Sequence, residues 1–97
     1  MILELAVLDL ARSNNEEFEE AFVKAQKIIM SMPGYISHEL HKCVKKDNRY
    51  LLQVKWNTLE DHTVGFRESS QYQEWRTLLH HFYDPFPVVE HYEEVPT

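Results

Sequence analysis

His62 stands four residues before Phe66, so on a helix the two side chains share one face. An imidazole on an aromatic face titrates near neutral pH and can take or relay a substrate proton. It can equally sit at a pocket rim, hydrogen-bonded to backbone. His91, between Glu90 and Tyr92 near the end of the chain, is the second candidate. It is expected to face the interior of a sheet and approach a residue of a twin subunit. There it would act in proton transfer or simply be a satisfied interface histidine. Trp56, Phe66, Tyr72, Trp75 and Phe82 form an aromatic set. Such residues build cores, and they also wall the apolar clefts that flat aromatic substrates occupy.

Other chemistries are poorly served. Six histidines invite a metal site, but their spacing argues for none. His38 and His41 are three apart on an expected strand and point to opposite faces. His80 and His81 are adjacent on an expected helix, ~100° apart, whereas a tetrahedral site needs convergent ligands. Cys43 is the single cysteine, so no intrachain disulfide forms, and a reducing, cytoplasmic setting fits. His41 shares a strand face with it and is its only local base, which makes a nucleophilic role minor. The net charge of −6 excludes the basic footprint that nucleic acid or anionic membranes require. The cluster Lys42, Lys45, Lys46 and Arg49 reads as a solvated hairpin tip. No apolar run approaches the ~20 residues of a membrane span. Met-Ile-Leu-Glu-Leu, interrupted by Glu4, does not read as a signal peptide.

The elements that would position these residues follow from hydrophobic period. Ninety-seven residues make a single domain, 1–97. Residues 2–10 are apolar on both alternating faces, with Leu3, Leu5 and Val7 on one and Ile2, Ala6 and Leu8 on the other. One layer of helices covers only one of these faces. A second sheet is the simplest cover for the other. Ser13 with Glu16 makes a capping box, and Phe18, Ala21, Phe22, Ala25, Ile28, Ile29 and Met32 follow at helical spacing until Pro33-Gly34. Residues 35–44 and 50–57 read as a hairpin turning at Lys46–Arg49, with Tyr50, Leu52, Val54 and Trp56 on one face. Thr58 with Asp61 caps a short helix through Phe66. Ser70 with Gln73 caps a helix carrying Tyr72, Trp75, Leu78, Leu79 and Phe82. Residues 88–95 form a last strand. The order β-α-β-β-α-α-β is the split-βαβ pattern of a ferredoxin-like α+β fold with a four-stranded antiparallel sheet.

The chain resembles the antibiotic biosynthesis monooxygenase family. The residues that carry the resemblance are Pro33-Gly34-Tyr35, Trp56, His62, Gly65-Phe66-Arg67, Ser69, Tyr72-x-x-Trp75-Arg76 and Val89-x-His91-Tyr92. The resemblance implies a dimeric α/β barrel, in which the sheets of two copies pack face to face, with a pocket between sheet and helices in each copy. It implies a cofactor-independent oxygenase acting on a small quinol-like aromatic. In that reading His62 is base or relay, Arg76 stabilises the anion, His91 is a further catalytic candidate, and Trp56, Phe66, Tyr72 and Trp75 line the substrate. Haem-degrading relatives use a first-strand Asn, a Trp on the short helix and a histidine ligand on the third. Here no such Asn is present, and Phe66 and Arg76 stand at the other two places. A non-catalytic ligand-binding or structural dimer is the alternative, decided by whether aromatic side chains fill the cleft. Isomerisation or degradation of a small phosphorylated or carbonyl metabolite is a further one, with Arg67 and Arg76 as the available cations.

Overall fold

The computed structural model describes every residue from Met1 to Thr97. Strand β1 (Ile2–Asp9) is followed by helix α1 (Asn15–Met30), then the hairpin β2 (Tyr35–Lys42) and β3 (Arg49–Trp56). A single wide π-helical segment (Asp61–Phe66), helix α2 (Ser70–Leu79), a 3-10 turn (His80–Phe82) and strand β4 (Val89–Tyr92) complete the chain. The strands form one antiparallel sheet in the order β2-β3-β1-β4, the ferredoxin-like arrangement. The sheet of the single chain is open.

Alternation along the strands divides the sheet into two unlike faces. Ala6, Leu8 and Leu10 of the β1 line and Tyr50, Leu52, Val54 and Trp56 of β3 are buried under the helices. Phe18, Phe22, Ala25 and Ile29 of α1 and Trp75 and Leu79 of α2 fill the space opposite. On the other face, Leu3, Leu5 and Val7 have no helix above them. Val7 keeps 44% of its surface exposed, and Tyr92, across from Leu3, keeps 45%. The two-faced apolarity of β1 is therefore real, but the helix-side set contains Glu4 as well as Ala6 and Leu8.

Two of the three expected helix starts move by one residue. Helix α1 opens at Asn14, not Ser13, because a turn closed by the Asn14 N–H donating to the Arg12 carbonyl (2.8 Å) advances the start. No side chain caps it. Helix α2 opens at Ser69, whose extended backbone lets its Oγ accept the Tyr72 N–H at 3.1 Å, while Ser70 is already helical. The Thr58–Asp61 box does form: the Thr58 N–H donates to Asp61 Oδ2 (3.1 Å), and the Asp61 N–H donates to Thr58 Oγ1 (3.2 Å). Strand β2 stops at Lys42 and β4 spans only Val89–Tyr92, shorter than the expected 35–44 and 88–95. β4 ends early because it pairs with β1 only from Leu3 to Ala6. Phe82 falls in the 3-10 turn beyond α2.

Gly34 fixes where the π-helical segment sits. Its φ is +84°, and a Cβ there would lie 2.1 Å from Asp61 Oδ2. Glycine is required on both counts, backbone hand and close approach. Gly34→Ala is expected to lower unfolding free energy by ~2 kcal/mol or more, the left-handed strain plus displacement of Asp61 from its cap. Urea denaturation of the two proteins side by side checks this, and a change within error of zero would contradict it.

Candidate active site

β1 carries a carboxylate where its pattern calls for an apolar residue. Glu4 keeps 5% of its surface exposed and lies in register between Val54 of β3 and His91 of β4, on the helix side. Trp56, diagonally across on β3, donates its Nε1–H to Glu4 Oε1 at 2.9 Å. His62 Nε2 stands 3.3 Å from the same oxygen. His62 Nδ1 is in turn 2.8 Å from His91 Nε2. The imidazole of His62 stacks on the indole of Trp56, with ring centres 5.4 Å apart and planes 23° from parallel. Both ring nitrogens of His62 are thus committed within the chain. When Glu4 is ionised, the tautomer that satisfies all three groups has Nε2–H facing Glu4 and Nδ1 accepting from His91.

Burial sets the charges. Desolvation pushes the Glu4 carboxyl up to about 7, against the opposing pull of the Trp56 hydrogen bond and the Arg67 charge. Desolvation pushes His62 down to about 3, helped by Arg67 and His91. His91 is lowered too, by burial and by Arg67. Near neutral pH the imidazoles are uncharged, and Glu4 is the group that exchanges a proton.

Glu4 opens onto a cleft of 460 Å³ between the sheet and α2. Phe66, Tyr72 and Trp75 wall it. Phe66 stands edge-on to Tyr72 (5.2 Å, 89°) and to Trp75 (5.6 Å, 80°). Ala6, Leu8, Leu52 and Val89 form its floor, with His80, Tyr83, Phe86 and Pro87 at the end away from Glu4. The aromatic side chains line the cleft and do not fill it. A volume of ~300 Å³ or more is the range of small-molecule sites.

The structure brings His62, Phe66, Tyr72 and Trp75 together as expected and places three residues otherwise. Trp56 is fully buried behind Glu4, so it contacts the carboxylate and not the cleft. Arg76 points to solvent and is absent from the lining, because it follows the buried Trp75 by one residue, ~100° around the helix. Arg67 is the cation that borders the cleft. His91 faces the helices of its own chain and meets His62, since its register partner Glu4 lies on that face. His38 and His41 do take opposite faces: His38 bonds Tyr35 and Gln26, and His41 bonds Glu39. Glu4 and His80 are the site residues that the sequence reading missed. The signal for Glu4 was present, an acid at even spacing with Ala6 and Leu8.

This sheet, its helices and the cleft between them define a known class. The chain belongs to the antibiotic biosynthesis monooxygenase family, whose sequence model matches residues 1–78. The Bacillus subtilis protein YczJ, itself described as uncharacterized, is 55% identical over 95 residues, covering 98% of this chain and 100% of its own. The crystal structure of a Bordetella bronchiseptica protein assigned as an antibiotic biosynthesis monooxygenase is 32% identical. It superposes with a TM-score of 0.92 over 98% of this chain and 97% of its own. SnoaB of Streptomyces nogalater, described as a cofactor-independent oxygenase, shares the fold at 18% identity, with a TM-score of 0.83 over 99% of this chain and 94% of its own. A Streptomyces coelicolor monooxygenase solved with Nanaomycin D does so at 15% identity, with a TM-score of 0.80 over 99% of this chain and 88% of its own. No helix is long and apolar enough to cross a membrane.

The raised Glu4 has a consequence for stability. The folded chain binds this proton more tightly than the unfolded chain, whose carboxyl titrates near 4.5. The stabilisation is complete below pH 4.5 and is lost as pH rises through about 7. Glu4→Gln keeps an acceptor for Trp56 and removes the titration. The variant is expected to be more stable than wild type above pH 7, by up to ~3 kcal/mol, with the difference vanishing toward pH 4. Denaturant midpoints across this range measure it, and a pH-independent difference would refute the assignment of the raised group to Glu4.

Proposed function

We propose that the chain is a cofactor-independent monooxygenase that ionises a small hydroxylated aromatic in this cleft and lets the resulting anion reduce O₂. The observation that carries the reading is the buried Glu4 carboxylate, poised near neutral pH at the foot of an aromatic-walled cleft. A general base works best when its pKa lies near the operating pH. This moves the role of base from His62 to Glu4. Trp56 and His62 hold Oε1, which leaves Oε2 for the substrate. His62, backed by His91, positions the carboxylate.

Ionised Glu4 takes a proton from the substrate hydroxyl. The anion passes one electron to O₂, and the radical pair joins as a carbon–oxygen bond. The terminal peroxide oxygen recovers the proton from Glu4. The hydroperoxide then loses water from the carbon that bears it, leaving a carbonyl. One oxygen atom ends in the product and the other in water. Arg67, the only arginine or lysine bordering the cleft, stabilises the anionic stages. A single cation next to a carboxylate suits a phenolate better than a phosphate, which disfavours the phosphorylated-metabolite alternative. The open cleft disfavours a merely packed, ligand-free core.

Oxygen uptake over a panel of quinols tests the reading. Wild type is expected to consume oxygen above buffer, with a rate that rises through pH 7 as Glu4 ionises. Glu4→Gln is expected to lose on the order of a hundredfold or more of that rate. No uptake by wild type, or equal uptake by the variant, would end it.

The assembly belongs to the same proposal. Leu3, Leu5, Val7, Leu51 and Tyr92 make an apolar stripe on the uncovered sheet face, and a second copy laid sheet to sheet would cover it. The single free cysteine suits a reducing, cytoplasmic setting. Light scattering of wild type at micromolar concentration is expected to give the mass of two chains, and Leu5→Lys the mass of one. A stable wild-type monomer would exclude the pairing.

A further inference from the structure

The uncovered face of the sheet carries unlike charge at its two ends. At one end is the β2–β3 hairpin tip, where Lys42, Lys45, Lys46 and Arg49 outnumber a single acid, Asp47. Beside it lies a hollow of 320 Å³ between Val7, Leu51, His41, Cys43 and Arg49. At the other end the chain leaves β4 as Glu93-Glu94-Val95-Pro96-Thr97, all exposed, past a second hollow of 290 Å³ at Leu3 and Tyr92. Arg49 is taken by Asp9 at 2.7 Å. Lys42, Lys45, Lys46, Glu93 and Glu94 have no ion-pair partner within the chain, and Lys55, which borders the second hollow, pairs with neither glutamate. The two ends cannot meet within one copy. The β1 register sets Arg49 beside Asp9 and Tyr92 beside Leu3, ~20 Å apart at strand rise.

Exposed apolar side chains mark the same two ends. Val44 at the tip keeps 95% of its surface exposed, and Val95 keeps 73%. The bare stripe of Leu3, Leu5 and Val7 runs from one hollow to the other. A second copy, related by a two-fold axis that lies between the sheets and oblique to the strands, exchanges the ends. The tip of each copy then meets the segment after β4 of the other, and the contact occurs twice. The strands of the two sheets cross steeply, as in orthogonal sheet packing. Packed sheets stand ~10 Å apart, and five extended residues reach ~16 Å, so Glu93–Thr97 spans the gap. Charge complementarity thus selects a copy of this chain as the occupant.

We propose that the two copies are held in register by an exchanged contact, in which the segment Glu93–Thr97 of one docks at the hairpin tip of the other. Glu93 and Glu94 pair with Lys42, Lys45 and Lys46, and Val95 enters the hollow between Val7, Leu51 and Cys43. The inference rests on the sheet-to-sheet pairing proposed above.

Cys43 lines the hollow and is the only cysteine, so it serves as an internal reporter. Hydrogen bonds from the Lys45 and Lys46 backbone lower its thiol, which favours exchange. In an oxidised glutathione buffer, Val95→Cys is expected to give disulfide-linked pairs of chains on a non-reducing gel. A link within one chain is excluded by the separation of the two ends. Wild type, Val95→Cys combined with Cys43→Ser, and Val23→Cys on the exposed side of α1 are expected to give none. In sedimentation, Glu93→Lys with Glu94→Lys is expected to weaken the pairing about tenfold. Adding Lys45→Glu with Lys46→Glu restores the net charge of wild type and is expected to recover most of the loss. If Val95→Cys stays unlinked, or the four changes together pair no better than the first two, while wild type has the mass of two chains, the exchanged contact is overturned and the pairing stands. A wild-type mass of one chain overturns both.

Discussion

A carboxyl group held under an apolar cleft, away from water, is the constraint on which the rest of this structure turns. Transfer of an ionised carboxylate into such surroundings costs several kcal/mol unless it is paired and hydrogen-bonded. Glu4 has one indole N–H, a neutral imidazole at 3.3 Å and a more distant guanidinium. That is enough to keep it from being protonated permanently and too little to keep it ionised at all pH values. Each of these partners is delivered by a different element. The β1–β3 register brings Trp56, the π-helical segment clamped by Gly34 and the Thr58–Asp61 box brings His62, and β4 brings His91. A one-residue slip of β1 would turn Glu4 to the opposite face and disassemble all of it.

The cleft exists because the helical layer does not cover the inner face of the sheet evenly. Phe18, Phe22 and Ile29 of α1 pack into the core with Tyr50, Leu52 and Val54 of β3. Over β1 and β4 the cover comes from α2 and the turn after it. β4 pairs only with Leu3–Ala6, so Leu8 has β3 on one side and no strand on the other, where Phe86 and Pro87 close the end as a loop. The reactive groups stand on strands and the walls on helices. In the proposed reaction the sheet thus sets where the carboxylate stands, and the part bordering solvent would admit the ligand.

Much of this arrangement was legible in the residues. The alternation of Tyr50, Leu52, Val54 and Trp56 identified the buried face of β3, and Phe18, Phe22, Ala25 and Ile29 identified that of α1. The bare stripe of Leu3, Leu5 and Val7 was equally plain. The misplacements have local causes. Ser13 and Asn14 are both good caps, as are Ser69 and Ser70, and only backbone dihedrals choose between neighbours. Arg76 shares helical spacing with Tyr72 and Leu79, so the wheel alone did not exclude it, and Arg67 lies just past the π-helical segment, whose wide turn defeats a 3.6-residue wheel. His62 was found, but its type suggested a neutral-pH titration that burial removes. A residue's ordinary pKa belongs to water, and sequence does not state how much water remains.

Glu4 shows why the proposed base was the hardest group to read. An acid within an apolar strand looks like an interruption, and in stability terms it is one. The ionised form that could take a substrate proton is the form that weakens the fold, and the protonated form that strengthens the fold is inert as a base. A titration near 7 sets both states within reach at one pH, so neither demand is met fully. An isosteric Gln would relieve the fold and abolish the exchange. The surroundings that make Glu4 costly, an apolar floor and aromatic walls with few polar partners, are also those in which a bound aromatic anion feels a nearby charge most strongly.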